Sequence, residues 1–183
     1  MVAGEITRPV DVLVIGGGPG GYTAAARAAE LGREVVLVER EQLGGTCLNV
    51  GCIPSKALIS VAHDLGRVQH RVASGTGLVG RVDVDLEAAQ RWKEGVVERL
   101  RGGVGTLLRH VELIGGTARF VGRDRVAVES EAHVEHLQFR NVVIATGSRP
   151  ATLSALPVDQ RRILDSTGAL ALTAVPDLSL IHI

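Results

Sequence analysis

The stretch VDVLVIGGGPGGYTAAARAAELGREVVLVER, residues 10–40, restricts the possible folds more than any other part of the chain. An apolar run from Val10 to Ile15 meets Gly16, Gly18 and Gly21 in GxGxxG spacing. An alanine-rich segment then leads to Gly32, and a second apolar run, Val35 to Val38, ends at Glu39. Short apolar runs bounded by glycine, with a longer alanine-rich segment between them, predict strand, helix, strand. Glycine-rich turns are common, so the spacing alone is weak, but the flanking elements and an acidic residue about 20 positions on supply the context that a dinucleotide-binding βαβ unit requires. Gly16 permits the tight turn out of the first strand, Gly18 admits a pyrophosphate to the backbone, and Gly21 lets the helix pack close to the strand. The helix start then offers free amides and a positive dipole end to phosphate. Glu39 is placed to accept hydrogen bonds from ribose hydroxyls, which favours FAD or NAD over the 2′-phosphate of NADP. The competing role for Glu39 is a solvated carboxylate at a strand end.

A second constraint follows at once. LGGTCLNVGCIPSKAL, residues 43–58, holds both cysteines of the chain, Cys47 and Cys52. It lies shortly after the second strand, near the sheet edge where doubly wound folds bind ligands. On a regular helix, residues five apart are separated by about 8.6 Å, whereas a disulfide needs Cα atoms within about 7 Å. The pair can bridge only if the intervening turn is irregular, which Gly51 would tolerate. Zinc usually wants closer cysteine spacing and further ligands, and His63 and His70 downstream do not follow a zinc pattern. Two thiols that merely fill space are another alternative. A redox pair at a helix start is favoured physically, because the dipole lowers a thiol pKa and raises the thiolate fraction. Pro54 suits an early helical position, opening a helix with Leu58, Ile59, Ala62 and Leu65 at helical spacing.

Composition narrows the partners. Lys plus Arg equals Asp plus Glu at 20 each and aromatics are 2% of 183 residues, which offers neither a basic groove nor stacking platforms for nucleic acid. The N-terminal stretch lacks a basic segment followed by an apolar one, and no apolar run reaches the roughly 18 residues of a membrane span, so a cytoplasmic, membrane-free protein is expected. Thiols there are kept reduced, which favours redox or metal roles for cysteine over structural ones. Residues 84–110 predict a long amphipathic helix weakened near Gly102, Gly103 and Gly105, with Trp92 as a packing residue. VELIGG, ARFVG, RVAVES and EHLQF read as strands of a small antiparallel insertion. His133 and His136 beside Glu135 fit a solvated hairpin tip better than a metal site. VVIATGS reads as a buried apolar strand that breaks at Thr146 and Gly147, where backbone comes close to a ligand.

GGTCLNVGCIPSKAL resembles the redox-active disulfide motif of the pyridine nucleotide-disulfide oxidoreductases, most closely the dihydrolipoyl dehydrogenase branch. The resemblance extends over VIGGGPGGYTAA with Glu39, WKEGVVERLRGGV at 92–104, GGTARFVG at 115–122, NVVIATGSRP at 141–150 and ILDSTGAL at 163–170. Mercuric and glutathione reductases share the CxxxxC frame, but their usual motif has valines where Leu48 and Ile53 stand. They remain alternatives, as does a stand-alone FAD-binding module.

The resemblance implies an α/β, Rossmann-like FAD-binding domain over residues 1–150, with a parallel sheet and the antiparallel insertion, lacking the later chain segment that completes it. Residues 151–177 would be a connector toward an NAD-binding domain. The family's dimerisation domain, with its His and Glu acid-base pair, has no counterpart in this sequence. Cys47 would be the interchange thiol and Cys52 the thiol beside the flavin, joined as a redox-active disulfide. Gly16, Gly18, Gly20, Gly21 and Glu39 would bind adenosine and pyrophosphate. Gly45, Thr46, Ala118, Thr146 and Gly147 would line the FAD site, with Lys56 near the flavin N5. The implied activity oxidises dihydrolipoyl groups of a 2-oxo acid dehydrogenase or glycine cleavage complex, in a homodimer, with FAD bound and NAD as electron acceptor. Residues 178–183 are expected to be a non-native tail, because LSLIHI can be encoded by a transposon-end sequence used in library preparation.

Overall fold

The computed structural model describes residues 7–180, so residues 181–183 of the expected tail lie outside the described residues. Two compact units are present. Among the described residues, the first comprises residues 7–49 and 100–149, and the second residues 50–99 and 150–180.

The first unit is built on one six-stranded sheet whose strands, numbered along the chain, are β1 (Thr7–Ile15), β2 (Val35–Glu39), β3 (Glu112–Gly115), β4 (Thr117–Phe120), β5 (Arg125–Glu129) and β6 (Val134–Ile144), in the order β3-β2-β1-β6-β5-β4. Strand β1 (Thr7–Ile15) is followed by helix α1 (Pro19–Glu30) and strand β2 (Val35–Glu39). This is the expected βαβ unit, with β1 and β2 parallel in the register Val12 to Val35 through Ile15 to Val38. Their apolar runs are continuous rather than alternating because both faces are covered. Val10, Leu13, Ile15, Val36 and Val38 join Val126, Val128, Leu137 and Phe139 in a single cluster. Val12, Val14, Val35 and Leu37, one residue out of phase with Leu13, Ile15, Val36 and Val38, are buried too, so both faces of the two strands are covered, and α1 packs against β1 and β2 with Ala25 and Ala26 buried.

Two strand expectations need correction. VELIGG forms β3 (Glu112–Gly115), which pairs parallel with β2 at the sheet edge and does not join an antiparallel insertion. A four-residue run is too short for its pattern to reveal its neighbour, which tertiary packing decides. EHLQF and the later NVVI are one strand, β6 (Val134–Ile144). Along its length β6 pairs parallel with β1. Its first half, Val134–Gln138, also pairs antiparallel with β5 (Arg125–Glu129), which pairs with β4 (Thr117–Phe120). The antiparallel strands thus extend the main sheet. The second half of β6 is not buried as expected: Val143 is 36% and Ile144 63% exposed. Among the described residues, no strand pairs with the flank of 141–144 that faces away from β1.

Helix α2 (Gly45–Val50) ends one residue before Gly51, and α3 (Cys52–Ala73) begins immediately after it. The expected irregularity is this break at Gly51, whose φ of −139° and ψ of −108° are not helical. In the second unit, the inward stripe of α3 is Pro54, Ala57, Leu58, Val61, Leu65 and Val68, whereas Ile59 and Ala62 point to solvent. Helix α4 (Leu86–Leu107) runs through Gly102, Gly103 and Gly105 without a break, and ends in the first unit's core with Val104 and Leu108 buried. Trp92 is 50% exposed on α4, not the packing residue expected. The buried polar residues of α4 are Gln90 and Lys93. Gln90 donates to the carbonyls of Leu170 (3.1 Å) and Leu172 (2.7 Å), and Lys93 donates to that of Leu170 (3.1 Å), so both satisfy the end of helix α5 (Ser166–Leu170). No helix among the described residues is long and apolar enough to cross a membrane.

Candidate functional site

The site starts where β1 ends. Gly16 has φ +104°, and a Cβ there would lie 2.3 Å from the carbonyl oxygen of Ala145, so the turn excludes any larger residue twice over. A Cβ at Gly21 would lie 1.7 Å from the Gly16 oxygen, which is the close helix-to-strand approach read from the sequence. Gly18 differs. Its φ of −74° and ψ of −177° are open to any residue, and the nearest atom to a Cβ there is 3.8 Å away. Neither backbone strain nor a close contact within the chain requires glycine at that position. Gly18 is also the N-cap of α1, where no side chain caps the helix and no acidic residue occupies the first turn. The amides of Gly20 and Gly21 therefore begin a helix end suited to an anion.

Glu39 closes one side of this turn. Its Oε2 accepts from the Gly17 amide at 2.6 Å and its Oε1 from the Glu41 amide at 2.9 Å. Each carboxylate oxygen keeps a further acceptor site, so ribose hydroxyls remain compatible with both bonds. On another side lies the bend leading into α2. The Gly44 amide donates to the Gly17 carbonyl at 2.8 Å, and a Cβ on Gly45 (φ +55°) would come within 2.7 Å of Gly18 Cα. The third wall is the chain after β6: the Ala145 amide donates to the Ile15 carbonyl at 2.8 Å, and Thr146 Cα lies 3.2 Å from where a Gly16 Cβ would be. Gly147 follows with φ +70°.

Of the residues expected to serve the site, the structure thus gathers Gly16, Gly18, Gly20, Gly21, Glu39, Gly45 and Thr146 around one turn. Thr46 and Cys47 sit in the first turn of α2, Thr46 exposed and Cys47 half-buried. Ala118 lies on β4, packed against the hydrophobic cluster, and the neighbouring Gly116 amide donates to the Glu39 carbonyl at 2.9 Å. Cys52 and Lys56, both exposed, occupy the start of α3 in the second unit. Among the described residues, no group of three or more His, Cys, Asp or Glu side chains could hold a metal.

Sequence reasoning missed two residues. Asn49, on α2, folds its carboxamide back over its own helix start, and Nδ2 donates to the carbonyls of Gly45 (3.0 Å) and Leu43 (3.1 Å). Arg101, on α4, donates from Nε (3.1 Å) and a terminal nitrogen (2.9 Å) to Asn49 Oδ1. The asparagine between the cysteines was a visible signal, whereas Arg101 reads in the sequence as one more charge on a solvated helix face.

The position at Gly18, the uncapped α1 and the acceptor capacity of Glu39 together fit an adenosine diphosphate group, the part that FAD and NAD share. The profile of the pyridine nucleotide-disulphide oxidoreductases matches residues 10–182. A dihydrolipoyl dehydrogenase from Bacillus subtilis (strain 168) is 47% identical over 178 residues, which is 96% of this chain and 37% of that protein. Dihydrolipoyl dehydrogenase 2 from Haloarcula marismortui is 48% identical over 189 residues, covering 99% of this chain and 39% of its own. The chain therefore spans less than two-fifths of these relatives' length. Among solved structures, the Cu(II) complex of the HOCl-induced flavoprotein disulfide reductase RclA from Escherichia coli superposes with a TM-score of 0.74. It is 26% identical, over 91% of this chain and 35% of RclA.

Proposed function

The chain belongs to the pyridine nucleotide-disulphide oxidoreductase family, and from that membership we propose that it forms the FAD-binding, thiol-exchanging part of a dihydrolipoyl dehydrogenase. The observation that carries the proposal is the seating of the cysteine motif on the phosphate turn: Gly45, two residues before Cys47, packs on Gly18, and Gly44 bonds Gly17. One short segment thereby serves both a dinucleotide and a reactive sulfur.

In this reading residues 1–150 form the FAD-binding part and 151–177 a connector. The amides at the start of α1 hold the pyrophosphate, Glu39 orients the adenosine ribose, and Gly45, Thr46, Ala118, Thr146 and Gly147 line the site, with Lys56 beside the isoalloxazine. Cys47 and Cys52 supply the exchange chemistry as a disulfide. A dihydrolipoyl thiolate attacks Cys47 Sγ, the Cys47–Cys52 bond breaks, and Cys52 leaves as a thiolate. The second substrate thiolate then attacks the substrate sulfur of the mixed disulfide, releasing the Cys47 thiolate and the cyclic lipoyl disulfide. The substrate has lost two electrons and two protons, and the cysteine pair holds the electrons. FAD held by the amides at the start of α1 and by Glu39 would supply the redox chemistry that carries this electron pair on to NAD. The position of Cys47 on α2, two residues after the Gly45 that packs on the glycine turn, supports its role as the exchanging thiol.

We assign the substrate to the lipoyl-bearing subunit of a 2-oxo acid dehydrogenase or glycine cleavage complex, the assembly to a homodimer and the compartment to the cytoplasm; the identity to dihydrolipoyl dehydrogenases supports the first two. The test is to express the complete open reading frame and measure bound flavin together with dihydrolipoamide-dependent NAD reduction. Yellow protein that reduces NAD with dihydrolipoamide is the expected result. A flavin-free protein, or a flavoprotein that oxidises other thiols or metal ions but not dihydrolipoamide, would replace this assignment.

A further inference from the structure

We infer that Arg101 and Asn49 form a positioning pair that fixes the first turn of α2, and Cys47 with it, against the glycine turn. Its consequence for cofactor retention rests on the reading that this turn takes the pyrophosphate of FAD.

Helix α2 is six residues long, far below the length at which a helix persists unaided, so something outside it must hold it. Asn49 is the tie on its own side. Its Nδ2 donates to the Gly45 and Leu43 carbonyls and, at 3.4 Å, to that of Gln42, which gathers the bend 42–45 onto the helix start. That bend is the segment whose Gly44 amide and Gly45 Cα rest on Gly17 and Gly18.

Arg101 is the tie to the body of the unit. Both of its bonds go to one oxygen, Asn49 Oδ1, and the helix that carries it is anchored beyond Arg101 by buried Val104 and Leu108. A carboxamide turned the other way would set its oxygen against the backbone carbonyls and its nitrogen against a cation. The guanidinium and the bend therefore select the same orientation from opposite ends. Charge on the acceptor end also polarises the amide and strengthens its donation at the other. The resulting chain of contacts runs from α4 through Asn49 to the bend and on to the glycine turn, with Cys47 two residues from Asn49. Thiol exchange needs the attacked sulfur in one presentation, and small misplacements of reacting atoms are costly to rate.

The pair is tested in this chain with Arg101→Met, Arg101→Lys and Asn49→Asp. The readouts are amide hydrogen exchange, alkylation of Cys47 by iodoacetamide in a Cys52→Ser background, and FAD affinity by flavin fluorescence. Losing a charge-assisted bond at this site should speed exchange in residues 43–50 about tenfold, with β1 and β2 unchanged, and weaken FAD binding by about the same factor. Cys47 alkylation should rise severalfold. Arg101→Lys, which keeps a cationic donor without the fork, should recover part of each effect. Asn49→Asp separates a positioning relay from a plain ion pair: it strengthens the attraction to Arg101 but turns a carboxylate oxygen toward the Leu43 and Gly45 carbonyls, so it should behave like Arg101→Met. An Asn49→Asp variant as protected as the parent would overturn the relay. So would an Arg101→Met variant with unchanged exchange and alkylation, or loss of β1 and β2 protection in both Arg101 variants. A parent chain that binds no FAD, while Arg101→Met still loosens residues 43–50, would keep the pair and overturn the cofactor reading alone.

Discussion

Individual residues at the glycine turn divide into those the fold needs and those left over for a ligand. Gly16 and Gly21 are fixed by the chain's own atoms, and both were legible in the sequence because a hard steric demand leaves only one residue type. Glu39 was legible as an acid at a strand tip, but its bonds to the Gly17 and Glu41 amides were not, since they depend on how the turn folds back. Asn49 and Arg101 were invisible as partners for the same reason: 52 residues separate them. Glu39→Ala should weaken FAD binding about ten- to a hundredfold, through loss of charge-assisted hydrogen bonds worth roughly 1.5–3 kcal/mol. Isothermal titration with FAD measures it, and unchanged affinity would make Glu39 a brace of the turn only. The cysteines separate by spectrum. In the complete FAD-loaded protein, Cys47→Ser should retain a long-wavelength absorption band from a Cys52 thiolate, and Cys52→Ser should lack it. The opposite pattern would exchange their roles.

Elements were legible where burial on both faces or a strict steric demand wrote them into the pattern, as in β1, α1 and β2. The neighbour of a strand was not: β3 and the two halves of β6 carry similar short apolar runs, and only the assembled sheet decides which pair is parallel. Helix α4 shows pattern prevailing over propensity. Glycine costs a helix interior about 0.5–1 kcal/mol relative to alanine, yet α4 continues through four glycines, Gly95, Gly102, Gly103 and Gly105, because its buried Val97 and Val104, with Leu108 just past its end, are held by packing. A Cβ at Gly95 or Gly102 would meet nothing within 4 Å. The double variant Gly95→Ala, Gly102→Ala should therefore gain about 1–2 kcal/mol if each site contributes its full helix term, seen as a higher midpoint in urea unfolding. A lower midpoint would mean that those positions serve a close approach. In the second unit, the Asp159 carboxylate accepts from the amides of Arg161, Arg162 and Ile163, and the Ile163 bond chiefly holds its pKa below the usual carboxylate range. Such a depressed group favours the folded turn at pH above the ordinary carboxylate value, and the contribution is lost as pH falls through the folded one. NMR titration of the 159–163 amides should show the turn opening only in that acidic window.

At the scale of the whole molecule, the sheet has a weak side. The outer flank of residues 141–144 carries no strand among the described residues, and Ile144 and Val143 add exposed apolar surface beside it. Unpaired backbone next to apolar side chains invites association with another chain. The 183-residue chain should therefore self-associate, and Ile144→Lys should raise its monomeric fraction severalfold in analytical ultracentrifugation. An unchanged distribution would place the sticky surface elsewhere. The same strand has a bearing on how the molecule is made. β1 is finished by residue 15, yet one of its two partners is β6, and the bond from Asn141 to the Asp11 carbonyl spans 130 residues of chain. Central pairing of such high contact order forms late and slowly. During synthesis, β1 must wait, paired at best with β2, until β6 has left the ribosome. For that interval one edge of its apolar run stays without the strand that will cover it.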